Sequence, residues 1–279
     1  MAKSVSPPAK RLAHAITVTA GRLTAPARML PGFLIVGAQR CGTTSMYRAL
    51  SAHPAVRKAV LHKGVHYFDM NYDRGLSWYR AHFPLQATAR GAVTFESSPY
   101  YLFHPLAAER IAADLPGVRL LVLVRDPVER AYSAYTHERA RGFETESFER
   151  AIELEPQRLR GEAERVRAEP GYLSHSHQHH AYVTRGQYAE QLARLAGLVG
   201  PDRIHVADSG DFFTRPEPVY DAVLDFLGLP KADYPPFEQH NARPRSPISP
   251  ALQASLDSHF RPFDEQLSQW LPQPPSWRR

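Results

Sequence analysis

Short apolar runs alternate with longer stretches of mixed polarity along most of the chain. The apolar runs predict buried strands, and they lie at residues 33–36, 92–95, 119–124 and 203–206. Stretches typical of helices fall between these runs, at residues 43–51, 105–114 and 127–140. Strands that alternate with helices predict a parallel sheet covered by helices. We therefore expect an α/β fold with a parallel sheet flanked by helices.

The segments outside this alternation predict other structure. Residues 146–168 are rich in Glu, Arg and Ala and indicate an exposed helix or an insertion. Residues 230–250 contain many prolines and predict a long loop. Residues 250–270 indicate a closing helix, and the final residues QPPSWRR indicate a frayed tail.

Length and charge narrow the class of protein. A chain of 279 residues can form one α/β domain. We expect that domain over residues 31–270, between a basic, mobile tail at 1–30 and a short tail at 271–279. The net charge of +6 indicates anionic ligands, although a charged surface or affinity for nucleic acid would give the same balance.

Several kinds of site and location are disfavoured by composition. Cys41 is the only cysteine, so the chain forms no internal disulfide, and a cytoplasmic location is expected. No run approaches about 18 consecutive apolar residues, so we predict no integral membrane segment. The histidine run HSHQHH at 175–180 contains no Cys, Asp or Glu, and we predict no metal site there.

The first strand leads into a loop that is nearly a phosphate loop. The segment FLIVGAQRCGTTS at 33–45 matches the pattern GxxxxGK[ST] at Gly37, Gly42 and Thr44, but Thr43 occupies the position of the lysine. Because that lysine neutralises the outer phosphates of a triphosphate, its absence favours a ligand with less charge there. Arg40 is the cation that remains in the 37–45 loop.

A second motif follows the third predicted strand. The segment RLLVLVRDPVERAYSAY at 119–135 places Arg125 at a strand end and Ser133 about two turns into a helix that begins at Pro127. Both side chains can reach the same edge of the sheet. The pair predicts a second phosphate site beside the first.

Together the two motifs resemble those of sulfotransferases that use 3′-phosphoadenosine 5′-phosphosulfate, in particular the heparan-sulfate type and its bacterial relatives. The resemblance extends over about residues 31–270 and includes four further segments in the same order. These are KGVHYFD at 63–69, RGLSWYRAHFP at 74–84, ESSPYYL at 96–102 and RGQYAEQLARL at 185–195. It implies the sulfotransferase fold, a P-loop-like single domain, and the phosphosulfate nucleotide as donor.

The resemblance also implies which residues bind the donor. Backbone N–H groups and hydroxyls of the 37–45 loop would hold the 5′-phosphate, from Arg40, Cys41, Gly42, Thr43, Thr44 and Ser45. Arg40 would face the sulfonate, where the family often has lysine, and would act in catalysis by stabilising the leaving oxygen. Arg125 and Ser133 would bind the 3′-phosphate. Arg243, and less directly Arg245, would fold over the nucleotide.

The acceptor side is less complete. The family commonly has a glutamate before VHFF as its base, and this chain has Gly64 there. His66 is the first candidate for a substitute base and Glu96 the second, although His66 could equally serve in packing. Acceptor-binding positions are predicted at Lys63, His66, Asp69 and Ser97. The 141–184 insert is expected to form a wall of the acceptor site.

Three functions remain open at this stage. The first is transfer of a sulfonate, by in-line displacement, to a hydroxyl or amine of a glycan, a lipid or a small metabolite, with no metal and no nucleic-acid partner. The second is a nucleotide-binding protein of the same fold that lost transferase activity with the glutamate. The third is a P-loop kinase, which would predict lysine at position 43 and an acidic residue where Arg125 follows its strand.

Overall fold

The fold is built on a parallel sheet of five strands. The computed structural model describes residues 21–60, 62–238 and 248–279. The strands are β1 (Phe33–Gly37), β2 (Val56–Lys58), β3 (Val93–Ser97), β4 (Arg119–Val124) and β5 (Ile204–Asp208). Their order across the sheet is β2-β3-β1-β4-β5, with every pairing parallel. The predicted α/β class and the single parallel sheet are confirmed.

Strand β1 lies at the centre of the sheet because its whole sequence is apolar. All five residues of FLIVG are buried, and Phe33 pairs with Phe95 of β3 on one side and Arg119 of β4 on the other. A strand buried on both faces reads as a continuous apolar run. β2 escaped prediction because only Val56 of its three residues is buried.

Helices connect the strands and flank the sheet. After β1 come α1 (Thr43–Ala52), α2 (Tyr67–Met70), α3 (Leu76–Arg80), α4 (Gln86–Ala89), α5 (Ala107–Asp114), α6 (Pro127–Ala140) and α7 (Phe148–Leu159). The next six are α8 (Glu162–Ala168), α9 (His175–His179), α10 (Tyr188–Val199), α11 (Ser209–Thr214), α12 (Pro216–Leu227) and α13 (Pro250–Leu267). Among the described residues, no helix is both long and apolar enough to span a bilayer.

The 141–184 insert packs on the body of the protein through a second apolar cluster. This cluster joins α6, α7 and α13, with Val128, Phe148 and Phe260 among its buried members. Phe148 meets Tyr132 edge-on at a centroid distance of 4.9 Å. The predicted helix at 146–168 is present as α7 and α8, and the apolar side of α7 attaches the insert to the sheet domain.

The C-terminal residues are held in place, so the expectation of a frayed tail is wrong. The Trp277 indole N–H and the Arg278 Nε both donate to Oδ2 of Asp264, at 3.0 and 2.7 Å. The backbone N–H of Ser276 donates to Asp208 at 2.7 Å. Two buried carboxylates therefore fix a segment whose proline-rich sequence alone indicates mobility.

The residues just before β1 also pack on the fold. Met29 is buried, and its N–H donates to the carbonyl of Pro84.

Candidate active site

The 37–45 loop turns sharply between β1 and α1. A Cβ on Gly37 would lie 2.6 Å from side-chain atoms of Leu102, so only glycine fits there. Arg40 and Gly42 both have a left-handed backbone, with φ of 71° and 79°. Gly42 is the N-cap of α1 and supplies no side-chain cap. Because no N-cap side chain bonds to the first N–H groups of α1, the start of this helix is suited to bind an anion.

Part of the loop's hydrogen-bonding capacity is used internally. The N–H of Cys41 donates to the Ala38 carbonyl and that of Ser45 to the Gly42 carbonyl. The hydroxyl of Ser209, at the start of α11, donates to the Cys41 carbonyl at 2.5 Å. The Cys41 side chain is fully buried, and burial raises the pKa of its thiol. Cys41 therefore serves the site through the loop's shape.

The cation missing at Thr43 is replaced from another segment. The Lys63 ammonium donates to the Thr43 hydroxyl at 3.3 Å and to the Thr44 hydroxyl at 3.0 Å. Burial lowers the pKa of Lys63 to about 8, against an opposing effect of the charge on Glu96. Our sequence interpretation assigned Lys63 to the acceptor, whereas the structure places its charge on the 37–45 loop.

Arginines gather on the other side of the loop. Nε of Arg40 donates to the Ser133 hydroxyl at 3.0 Å, which joins the loop to α6. Arg125 forms an ion pair with Glu129 at 2.9 Å, and its carbonyl accepts a bond from Tyr188. The charges of both arginines favour the ionised form of the Cys41 thiol, although burial raises its pKa overall. The predicted donor residues Arg40, Arg125 and Ser133 therefore occupy one region.

His66 and Asp69 form a hydrogen-bonded pair at the start of α2. Nδ1 of His66 lies 2.8 Å from Oδ2 of Asp69, and 41% of the His66 side chain is exposed while Asp69 is buried. Burial acts to lower the pKa of His66, but the bond to Asp69 and its charge outweigh burial, so the pKa lies above its ordinary value. Oδ1 of Asp69 also accepts the Met70 N–H. This second bond fixes the buried carboxylate, which in turn orients the imidazole.

Glu96, the second candidate base, is fully buried and its carboxylate is saturated with donors. Oε1 accepts from the hydroxyls of Tyr79 and Tyr101, at 3.2 and 2.6 Å. Oε2 accepts from the Val65 N–H and the Ser98 hydroxyl, at 2.9 and 2.6 Å. A carboxylate has about four lone-pair positions, and all are engaged here. In this geometry the Glu96 carboxylate holds the 63–66 segment, and its four lone-pair positions are engaged by groups of the protein.

Gly64 lies where no side chain fits. A Cβ at this position would be 2.6 Å from the Ser97 carbonyl oxygen and 3.0 Å from the Ser98 hydroxyl. It would also lie 3.4 Å from Nε2 of His66. The family's usual glutamate could not occupy this backbone without displacing the end of β3. The imidazole Nε2 therefore lies close to where that glutamate side chain would begin.

Two buried arginines were missed as site residues by sequence reasoning. Arg185 donates to the side-chain oxygen of Gln39 in the 37–45 loop and to the carbonyls of His177 and Gln178 in the insert. Arg130 donates to the Tyr182 carbonyl, and its Nε and Nη1 have no partner among the described residues. Arg185 begins the segment RGQYAEQLARL, which carries part of the family resemblance but whose sequence alone predicts no role for the arginine.

The remaining predicted positions are less informative. Ser97 is buried, and its hydroxyl has no partner among the described residues. Arg243 and Arg245 lie outside the described residues. The histidine run forms α9, in which Nδ1 of His177 lies 2.7 Å from the Tyr100 hydroxyl. Among the described residues no group of three or more His, Cys, Asp or Glu is placed to hold a metal ion.

A cavity of about 410 Å³ lies beyond Asp69, between the sheet domain and the 141–184 insert. Asp69, Tyr72 and Arg110 line one side, and Arg167 and Tyr172 of the insert line the other. The guanidinium of Arg110 stacks on the Tyr72 ring at 4.6 Å. The walls combine charged and aromatic groups with aliphatic side chains such as those of Met70, Leu106 and Leu173, and both signs of charge are present.

The fold and the site thus define an α/β protein with a phosphate-loop-like cradle surrounded by cations. The sulfotransferase domain model matches residues 30–240, and the chain belongs to that family of sulfonate-transferring enzymes. A solved sulfotransferase from Alicyclobacillus acidocaldarius has a TM-score of 0.71 and 28% identity, over 90% of this chain and 99% of that one. The resemblance inferred from the two motifs is confirmed.

Curated relatives include eukaryotic sulfotransferases. The chain is 24% identical to the membrane-associated sulfotransferase kil1 of Dictyostelium discoideum, over 89% of this chain and 67% of that protein. It is 30% identical to human heparan sulfate glucosamine 3-O-sulfotransferase 6, over 90% of this chain and 74% of that protein. It spans only 31% of the human bifunctional heparan sulfate N-deacetylase/N-sulfotransferase 3, at 28% identity.

Proposed function

We propose that this sulfotransferase uses 3′-phosphoadenosine 5′-phosphosulfate as donor. The observation that carries the proposal is the cradle, in which Lys63 bonds to Thr43 and Thr44 on one side and Arg40 bonds to Ser133 on the other. The 5′-phosphate would sit at the start of α1, and the 3′-phosphate would sit beside Ser133 and Arg125. Cations and a helix N-terminus both favour phosphate at these two positions.

The acceptor is proposed to be a hydroxyl or amine of a carbohydrate, lipid or small metabolite. The cavity beside Asp69 supports this class, because polar groups and aromatic rings line it and the insert forms one wall. The 3-O-sulfotransferase relative is named for a glucosamine acceptor, and a sugar would suit such walls.

We propose His66 as the base. Its Nδ1–H would donate to Asp69, which leaves Nε2 as the proton acceptor. The acceptor oxygen or nitrogen would attack sulfur while Nε2 removes its proton. The bond between sulfur and the bridging oxygen would break, and adenosine 3′,5′-bisphosphate would leave. Arg40 and Lys63 would stabilise the charge that develops on that oxygen.

Calorimetry with adenosine 3′,5′-bisphosphate and with ATP tests the donor. We expect the bisphosphate to bind at least 10-fold more tightly, because its 3′-phosphate would pair with the proposed second phosphate site beside Ser133 and Arg125, and ATP has no phosphate at that position. Tighter binding of ATP would favour the P-loop kinase instead.

Transfer of labelled sulfonate tests activity and acceptor class together. The purified protein would be incubated with labelled donor and panels of glycans, phenols, lipids and amines. We expect labelling of one class, and loss of that labelling with His66→Gln. Tight bisphosphate binding without transfer to any panel or to a cell extract would favour the nucleotide-binding protein without activity.

A further inference from the structure

The lysine absent from the 37–45 loop has a spatial substitute. Thr43 and Thr44 begin α1, and both hydroxyls accept bonds from the ammonium of Lys63, which lies 20 and 19 residues away in sequence. The charge therefore reaches the loop from the segment between β2 and α2.

Lys63 is held in this position by the end of β3. Its carbonyl accepts the Ser97 N–H at 2.8 Å, and two residues later the Val65 N–H donates to the buried carboxylate of Glu96. The ammonium also lies 5.9 Å from the centre of the Tyr47 ring on α1. A backbone anchored on both sides of Gly64 gives the side chain a fixed origin, so its reach to the loop follows from the fold.

Resting on the donor proposed above, we propose that Lys63 is a donor-binding residue that contacts the 5′-phosphosulfate in place of the missing loop lysine. An ammonium has three N–H donors, and the two threonine hydroxyls account for two of them. The third is available to a phosphate or sulfonate oxygen at the start of α1. Lys63 would thus act on the donor, and the acceptor would be left to His66 and the cavity.

The burial of Lys63 gives this contact a pH dependence. Its pKa of about 8 without ligand would rise beside a phosphate, so the donor binds together with a proton above that pH. Donor affinity should therefore be greatest below pH 8 and fall by up to 10-fold per pH unit above it. The charge of Glu96 acts to raise the pKa of Lys63. The charge of Lys63 in turn acts to lower the pKa of His66, and Arg40 lies on the Ser133 side of the loop.

Calorimetry of adenosine 3′,5′-bisphosphate at pH 7 and pH 9 tests the proposal. We expect Lys63→Met to weaken binding about 10- to 100-fold at pH 7, as expected for loss of a charge-assisted bond. Most of the difference between the two pH values should disappear with it. Lys63→Arg keeps a charge that does not titrate in this range, and we expect it to bind with little dependence on pH.

Lys58→Met provides a matched control, because Lys58 is an exposed lysine of β2. We expect wild-type affinity for it. In steady-state assays Lys63→Met should raise the donor KM and leave the acceptor KM unchanged. Unchanged bisphosphate affinity in Lys63→Met, with a raised acceptor KM, would overturn the assignment and leave the donor proposal standing. Absence of bisphosphate binding in the wild-type protein would overturn both.

Discussion

At the scale of single residues, the base that we propose is an imidazole, where the family commonly has a carboxylate. Gly64 has no side chain, and His66 stands beside it with its Nε2 3.4 Å from where a Cβ at 64 would be. Asp69 fixes the other ring nitrogen. A histidine oriented in this way can remove a proton near neutral pH, which a lone glutamate does only when burial raises its pKa.

His66→Gln should lower kcat by about 10²- to 10⁴-fold without weakening bisphosphate binding, because general bases contribute factors of this size. The wild-type kcat/KM should increase as pH rises through the raised pKa of His66, since the base acts unprotonated.

Asp69→Asn removes the attraction between the carboxylate and the protonated imidazole. The pKa of His66 should therefore fall, and the increase in kcat/KM should move to lower pH. A pH–rate profile measures this, and an unmoved profile in Asp69→Asn would contradict the dyad.

Gly64→Ala should destabilise the protein by about 1–3 kcal/mol, because the new methyl would lie 2.6 Å from the Ser97 carbonyl. Gly197→Ala on α10 is the matched control, since nothing lies within 4 Å of its Cβ position. The control should be neutral or stabilise by about 0.5–1 kcal/mol. Urea denaturation measures both variants, and equal effects would argue against a steric requirement at Gly64.

At the scale of elements, the end of β3 is the scaffold of the site. Glu96, Ser97 and Ser98 together hold the 63–66 segment through bonds to backbone groups. This arrangement places Lys63 toward α1 and makes His66 the N-cap of α2. Burial raises the pKa of Glu96 although four donors surround it, so its role depends on packing as much as on charge.

The C-terminal segment gives a prediction at the same scale. Arg278 pairs with Asp264 at 2.7 Å, and burial raises the pKa of Asp264 despite its partners. Arg278→Ala leaves that carboxylate poorly compensated and should cost about 2–3 kcal/mol of unfolding free energy. Arg150→Ala breaks an exposed pair with Glu153 and should cost less than about 0.5 kcal/mol. Thermal or urea unfolding compares the two, and similar losses would contradict an anchored C-terminus.

The elements that could be predicted are those whose signal is local. β1 and β4 are unbroken apolar runs, and the 37–45 loop and α6 have contiguous motifs. β2 could not be predicted, because pairing with β3 and not its own sequence makes it a strand. The direction of the Lys63 side chain could not be predicted for the same reason. It depends on the bond from Ser97, which only the register of the sheet reveals.

At the scale of the whole molecule, Arg185 connects the loop with the insert. One guanidinium bonds to Gln39 and to two carbonyls of α9, and it also lies over the rings of Tyr100 and Phe103. Burial lowers its pKa to about 10, which still leaves it charged at neutral pH. The 37–45 loop and the insert thus share one buried link.

Arg185→Lys should weaken both bisphosphate binding and acceptor turnover, because lysine lacks the fork that reaches three acceptors. A double-mutant cycle with Gln39→Ala isolates the link. We expect a coupling of about 0.5–3 kcal/mol in bisphosphate affinity, as for residues in direct contact. Strict additivity of the two substitutions would show that the bond carries no coupling.

The bond between Ser209 and the Cys41 carbonyl has a consequence for biosynthesis. The two residues are 168 positions apart. At about 5–20 residues per second, roughly 10–30 s separate their emergence during translation. A nascent chain therefore exposes the complete loop sequence well before the residue that helps to fix its shape is made. The loop can gain this bond only after Ser209 has been made, and ribosome-bound chains that end before Ser209 should bind nucleotide more weakly than the complete chain.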